Sequence, residues 1–350
     1  MLQADDIITL ARGPYRLCAQ LGGSAYGVIW RASSPSGVEV ALKLVNREQM
    51  ALAEPAMQGR WVTSAEKEIA FLASLAPWDE RHIVRLLDQG THQGLPVMAL
   101  ELMDTDLARH FTALRASGRK LALSQVLDWM GQINQAMAKV HQYGWLYLDL
   151  KPANVLMHAA GASVRLADFG TNRLRAELPA AFYTGTPGWQ APEQVFATAE
   201  GTWRTDTRSD YFALGALFYY LVTGGVQLRF CADCGMAYRH KQRDPAATLL
   251  ARPHRENALT LHADEAALFA QRVTSPDAGG ADATWCPSGE SATAAAALGL
   301  LRRLLAPQRN DRPRHAIEIS RALEAIGSAK AKSLAPWLFG APAVLAPRAA

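Results

Sequence analysis

The chain has 350 residues, 49% of them hydrophobic and 19% charged, with 4 cysteines. This composition supports a sizeable core and excludes both a disordered chain and a disulfide-built scaffold. The formal net charge of +4 is too near neutral to argue for a nucleic-acid partner.

The length suits two domain-sized units or one large two-lobed domain. The N-terminus, Met1 to Leu10, carries acids where a signal peptide needs a basic region. The longest apolar run, Tyr211 to Gly225, is too short and too polar at its ends to span a membrane. No membrane span and a cytoplasmic location are therefore expected, with delivery to another cell as an effector left open. Scarce lysine beside arginine, with abundant alanine, points weakly to a bacterial genome.

Residues 1–14 read as an N-terminal extension. From 15 to 45, apolar and polar positions alternate around a glycine-rich turn, the pattern of a short antiparallel sheet. In that turn Gly22, Gly23, Ser24 and Gly27 would let backbone N–H groups approach phosphate oxygens, although most such hairpins are only turns. Val40-Ala41-Leu42-Lys43 follows. Its lysine is either a snorkelling edge residue or a phosphate ligand held by a carboxylate, because a buried unpaired ammonium is costly. Glu68 is the natural partner, with Glu66 the fallback; it lies on a helix predicted over 63–76, whose apolar face is Ile69, Leu72 and Leu75.

Strands are predicted at Val84 to Leu87 and Val97 to Leu102. A helix is predicted from Ser124, as N-cap, to Tyr143, with Gly144 as its stop. Beyond it stands Asp149-Leu150-Lys151-Pro152-Ala153-Asn154. Asp149 could take a hydroxyl proton, Lys151 could neutralise charge on a transferring phosphoryl group, and Asn154 could hold a divalent cation. Asp168-Phe169-Gly170 adds a second oxygen ligand of the kind Mg²⁺ requires. Each alone could be turn chemistry; coincidence does not explain all of them in order.

A strongly apolar helix is predicted near 208–223. Residues 226–292 then read as a polar insertion or subdomain, and a seat for a cytosolic regulatory partner. Its Cys231-Ala232-Asp233-Cys234 has the spacing of half a tetrahedral zinc site. Cys286, with His240, His254 or His262, would complete it; the alternative is two reduced thiols in a surface loop. The basic run from Arg229 to Arg255 is either a solvated face or a dock for an acidic partner. Helices at 293–306 and 313–326 close the fold, and an Ala/Pro-rich tail occupies 327–350. Cys18 reads as packing, and His82 and His141 as having no catalytic role.

This set of motifs resembles the eukaryotic-like (Hanks-type) serine/threonine protein kinases, from about Tyr15 to about Ile326 apart from the insertion. The resemblance also rests on Gly185-Thr186-Pro187, Ala191-Pro192-Glu193, Asp210 and Arg312. It implies an α+β, two-lobed fold: an antiparallel β-rich N-lobe with one main helix over 15–102 including the hinge, and a mainly helical C-lobe over 103–326. ATP would lie between the lobes. Gly22, Gly23, Ser24, Gly27, Ile29, Ala41, Lys43, Leu100 as gatekeeper, Glu101, Met103, Asp106 and Leu156 would line its site, with Mg²⁺ on Asn154 and Asp168.

The resemblance makes Asp149 the base, Lys151, Lys43 and Glu68 its charged company, and Thr186 a bridge between Asp149 and Lys151. It makes Glu193–Arg312 a buried brace, Asp210 the support of the catalytic loop, and Tyr147, Phe169, Leu72 and Leu86 an apolar column joining the lobes. The substrate would be a protein. Two departures stand out. Leu148 replaces the arginine that in the family binds an activation-loop phosphate, which implies activity without that phosphorylation, and Ser24 replaces a glycine. They keep two rivals open: an ATP-binding scaffold without transfer, and a nucleotidyl transferase on the same fold.

Overall fold

The computed structural model describes residues 2–24, 26–158, 161–177, 185–196, 200–241, 260–274 and 291–338. Its N-terminal part is one antiparallel sheet in the order β1-β2-β3-β4-β6-β5. The strands are β1 (Ile7–Leu10), β2 (Gly13–Gly23), β3 (Gly27–Ser33), β4 (Glu39–Val45), β5 (Leu86–His92) and β6 (Leu95–Glu101). β1 lies within the stretch read as an extension; it pairs with β2 from Ile7 opposite Arg16 to Leu10 opposite Gly13. Ile8 and Leu10 are buried there, so this segment is part of the sheet's core.

Alternation decides the two faces of β4. Val40, Leu42 and Leu44 enter a core with Leu17, Trp30 and Val97, while Ala41 and Lys43 face the other way. Against that second face lies α2 (Pro55–Ser74), preceded by the short α1 (Arg47–Leu52). α2 begins at Pro55 rather than at 63, because proline's fixed φ suits a first helical turn.

The helical part is built around α6 (Thr207–Val222), capped by Asp206. Its residues from Ser209 to Tyr219 are all buried, as an apolar helix at the centre of a lobe must be. α4 (Leu123–Gln142) and α9 (Ala292–Leu304) pack on it, and α3 (Leu107–Ala116) and α10 (Ala316–Leu338) complete the lobe. α4 starts at Leu123 with Ala122 at its N-cap, so Ser124 lies inside the first turn and does not cap it. Gly144, at φ +82°, does close α4. α10 runs to Leu338, past the start of the predicted tail.

Part of the stretch read as an insertion is regular core structure. α7 (Arg229–Lys241) and α8 (Ala263–Thr274) flank α6. Phe269 of α8 sits against the rings of Phe218 and Tyr219 of α6, with centroids 5.1 and 6.2 Å away. Cys231 and Cys234 are buried with Phe230 in the same core. They are one helical turn apart on α7, neither in a metal-binding turn nor in an exposed loop. Burial holds the Cys231 thiol well above its ordinary range, against the thiolate that zinc requires. Cys286 and His254 lie outside the described residues, as does the side chain of His240. Among the described residues no group of three metal-ligating side chains forms, and none of their helices is long and apolar enough to cross a membrane.

Candidate functional site

The register of four strands assembles the roof of a cleft. Gly22 lies opposite Ile29, Ile29 opposite Lys43, and Ala41 opposite Leu100. The hairpin closes through Ser24 N–H to Gly27 O at 2.7 Å. The Ser24 hydroxyl also accepts from Gly27 N at 3.1 Å and Tyr26 N at 3.3 Å, so the side chain that departs from a glycine pattern braces the turn. Gly27 lies close to the cleft lysine: a Cβ there would sit 3.2 Å from Cε of Lys43 and would need that side chain to shift by a few tenths of an ångström. Sequence reasoning did not anticipate how the tip is held. Asn46 donates to Ser24 O at 2.9 Å, and the Tyr26 ring meets Trp61 of α2 at 5.0 Å between centroids.

Lys43 ties roof to helix and floor. Its Nζ donates to Glu68 Oε2 at 2.6 Å and to Asp168 Oδ1 at 2.8 Å. Glu68 is 1% exposed whereas Glu66 is exposed, so the phase of α2 chooses the partner. Burial opposes the charge on Lys43, but Asp168 and Glu68 outweigh it and hold its pKa above the ordinary range. Burial likewise works against ionised Asp168, and the Lys43 ammonium overrides it, keeping that carboxyl below its usual range. For Glu68 burial prevails and the pKa rises. The Ser64 hydroxyl of α2 donates to Gly170 O at 3.0 Å, a second link from the helix to this floor.

Asp149 is the hub of a second cluster and is 4% exposed. Its Oδ1 accepts from Thr186 N at 2.8 Å; its Oδ2 accepts from Lys151 Nζ at 2.8 Å and Asn154 Nδ2 at 3.0 Å. Lys151 also donates to the Thr186 hydroxyl at 2.5 Å. Burial raises the Asp149 pKa, with Lys151 opposing it. Gly185, at φ +117°, supplies the bend before Thr186, where a Cβ would lie 2.7 Å from Leu148 O. Asn154 donates its amide to Asp149 O and Oδ2, which leaves its Oδ1 uncommitted by those bonds. That oxygen and the Asp168 carboxylate, whose side chain is 40% exposed, are hard oxygen donors of the kind Mg²⁺ takes.

The loop carrying Asp149 hangs from Asp210. Oδ1 accepts from Leu148 N at 2.7 Å, and Oδ2 from Tyr147 N at 3.0 Å. His141 Nε2 is 2.8 Å from the same Oδ2, a structural bond that its position at a helix end did not reveal. Leu148 is buried at φ +62°, a conformation costly for a non-glycine residue, so the loop is over-determined by its anchors. Phe169 lies between Tyr147, edge-on at 5.2 Å, and Phe71, tilted at 4.6 Å. Leu72 is buried in the same core and the half-buried Leu86 packs against it, while Phe71, not foreseen, makes the ring contact.

At the cleft's edge, Asp106 lies opposite Leu156 across β7 (Thr105–Asp106) and β8 (Val155–His158). Asp106 caps α3 by accepting from Arg109 N at 2.9 Å, and it pairs with the Arg109 side chain at 3.4 Å. The largely covered Glu101 side chain meets Arg165 at 2.8 Å; Met103 lies in the link that follows, between β6 and β7. Glu193 of α5 (Pro192–Val195) meets Arg312 Nη1 at 2.8 Å and Nη2 at 3.1 Å.

A model of the protein kinase domain family matches residues 15–322. The chain is 30% identical over 226 residues to cyclin-dependent kinase B2-1 of Arabidopsis thaliana, covering 62% of this chain and 68% of that protein. It is 29% identical over 307 residues to a probable serine/threonine-protein kinase of Streptomyces coelicolor, covering 83% of this chain and 42% of that one. For cyclin-dependent kinase 20 of Homo sapiens the figures are 29% over 214 residues, 60% and 57%. The chain thus spans between 42% and 68% of the length of these relatives.

Proposed function

The chain belongs to the protein kinase family, and on that premise we propose that it is a serine/threonine protein kinase. It transfers the γ-phosphoryl group of ATP to a hydroxyl of a protein substrate. The observation that carries this reading is the closed network on Asp149: three donors fix the carboxylate, and Lys151 is shared between it and Thr186.

In this reading the unprotonated Asp149 orients the substrate hydroxyl and takes its proton. Lys151 presents positive charge at the transferring group, and Thr186 keeps that ammonium in place. Lys43, charged because Glu68 and Asp168 flank it, binds the nucleotide's phosphates under the roof of Gly22, Gly23 and Ser24. Ile29, Ala41, Leu100 and Leu156 supply apolar walls for the base. Catalysis by these groups is positioning and electrostatics, since a loose phosphoryl transition state asks for little covalent chemistry. Mg²⁺, bound through Asn154 and Asp168, would supply charge neutralisation on the phosphate oxygens.

Activity in this reading does not wait for an activation-loop phosphate. Leu148 offers no cation and Arg173 is buried, which leaves the exposed Arg175 as the one accessible cation in the described part of that segment. Phosphatase-treated enzyme should keep its activity within about twofold, and loss of activity would show that a phosphate is needed.

The proposal is tested by the intact mass of the protein incubated with ATP, Mg²⁺ and a generic protein substrate, beside Asp149→Ala. The expected result is added phosphate on serine or threonine with the wild type and none with the variant. Added nucleotide would assign a nucleotidyl transferase instead. ATP binding with no mass change on any protein would assign a scaffold.

A further inference from the structure

Outside the cleft, a cavity of about 250 Å³ opens beside the end of α3, the α3–α4 loop, the end of α6 and α8. Its floor is apolar: Phe111, Leu114, Leu123, Val126 and Leu221 are all buried side chains. Its rim carries Arg115, Arg119, Lys120 and Arg272, and no described lining residue is acidic. Arg115 donates Nε to Gly224 O at 3.0 Å and Nη2 to Gly225 O, so it fixes the loop after α6 without meeting a carboxylate. Arg119, Lys120 and Arg272 are exposed and make no ion pair among the described residues. Burial lowers the pKa of nearby His110, and the charge of Arg119 adds to that effect.

Four like charges around one apolar floor repel one another, and carboxylates placed between them would remove that repulsion. The volume lies below the range for drug-sized ligands and suits one large side chain rather than a cofactor. The position is connected to the transfer site. Phe111 meets Tyr220 at 5.1 Å and Tyr220 meets Trp189 at 5.4 Å, on the segment whose Thr186 holds Asp149.

We propose that this cavity docks an acidic peptide segment of a partner protein. One large apolar side chain seats on the Phe111–Leu221 floor, and flanking aspartates or glutamates pair with Arg115, Arg119, Lys120 and Arg272. The site requires no turnover, so its test is independent of the phosphotransfer reading.

The experiment uses the full chain and a fluorescein-labelled peptide with a Leu-Phe pair flanked by Asp and Glu, read by fluorescence anisotropy. A control peptide keeps Leu-Phe and replaces the acids by Lys. Wild type should bind the acidic peptide, and the affinity should fall with rising salt. The doubly substituted Arg119→Glu/Lys120→Glu protein should bind it at least about tenfold more weakly and gain affinity for the Lys peptide. Both positions are exposed, so an unchanged melting temperature separates a lost site from a lost fold. Equal binding of the two peptides by wild type would overturn the proposal, as would an unchanged affinity in the variant. Co-sedimentation with phosphatidylserine vesicles, without peptide binding, would assign the rim to a lipid surface instead.

Discussion

Replacing Glu193 by glutamine should destabilise the helical lobe far more than its size suggests. Arg312 is 2% exposed, and all five of its N–H donors are used. Nε goes to Ala306 O at 2.7 Å, and Nη1 and Nη2 reach Arg208 O and Pro307 O at 3.1 and 3.2 Å. The remaining two donors go to the Glu193 carboxylate. A glutamine can accept one of these bonds but must point its own NH₂ at the other donor. A charge-assisted bond is worth about 1.5–3 kcal/mol and a neutral one about 0.5–1.5 kcal/mol, so losing one bond and leaving the other neutral costs about 2.5–4.5 kcal/mol. That agrees with the roughly 3–5 kcal/mol for stranding one partner of a buried ion pair. Urea unfolding should therefore show a loss of about 3–5 kcal/mol, with a fall in Tm of about 6–20 °C. The double variant Glu193→Gln/Arg312→Met should recover part of the loss, because it no longer strands a buried charge. A loss below about 1 kcal/mol for the single variant would refute the argument, since the pair would then behave as an exposed one. Transfer activity should fall as well, because neighbouring Gln194 donates to Leu148 O at 3.1 Å, beside Asp149.

Three further outcomes are expected. Asp149 must be unprotonated to take a proton, and burial raises its pKa; kcat/KM should therefore decline on acidification at a pH above the ordinary aspartate value of about 3.9, and a profile flat down to that value would contradict the reading. Tyr26→Ala releases the hairpin tip from Trp61; an aromatic pair worth about 0.5–1.5 kcal/mol implies a KM for ATP raised about 2–12-fold, and an unchanged KM would remove the tether from the mechanism. Cys231 and Cys234 are buried in a hydrophobic core; peptide mapping after iodoacetamide should find them modified only in denaturant, and labelling of the native protein would place them at the surface.

Much of the site was legible because its chemistry is written in short segments. Asp149, Lys151 and Asn154 fall within six residues, and the bonds among them follow from that loop. Alternation in β4 gave Lys43 its own face, and an apolar pattern gave α4 and α6. The readings that changed concern residues whose meaning depends on a distant surface. Ile7–Leu10 becomes a strand because β2 offers it an edge. Cys231 and Cys234 looked like ligands by spacing but recur with Phe230 on the buried side of a helix.

The sequence alone determined the order of the motifs and the inventory of acids and cations, because local spacing is a property of adjacent residues, and the α+β class followed from the family resemblance those motifs carry. Tertiary structure decided which remote groups meet. It brought Glu68, the partner expected, onto Lys43, and gave His141 to Asp210. It set Tyr26 against Trp61 and gathered cations from α3, its following loop and α8 around one apolar floor. Those pairings span long stretches of chain. They are fixed by how buried surfaces pack and by the cost of leaving a charge or a polar group unpaired inside them, and neither is set by distance along the sequence.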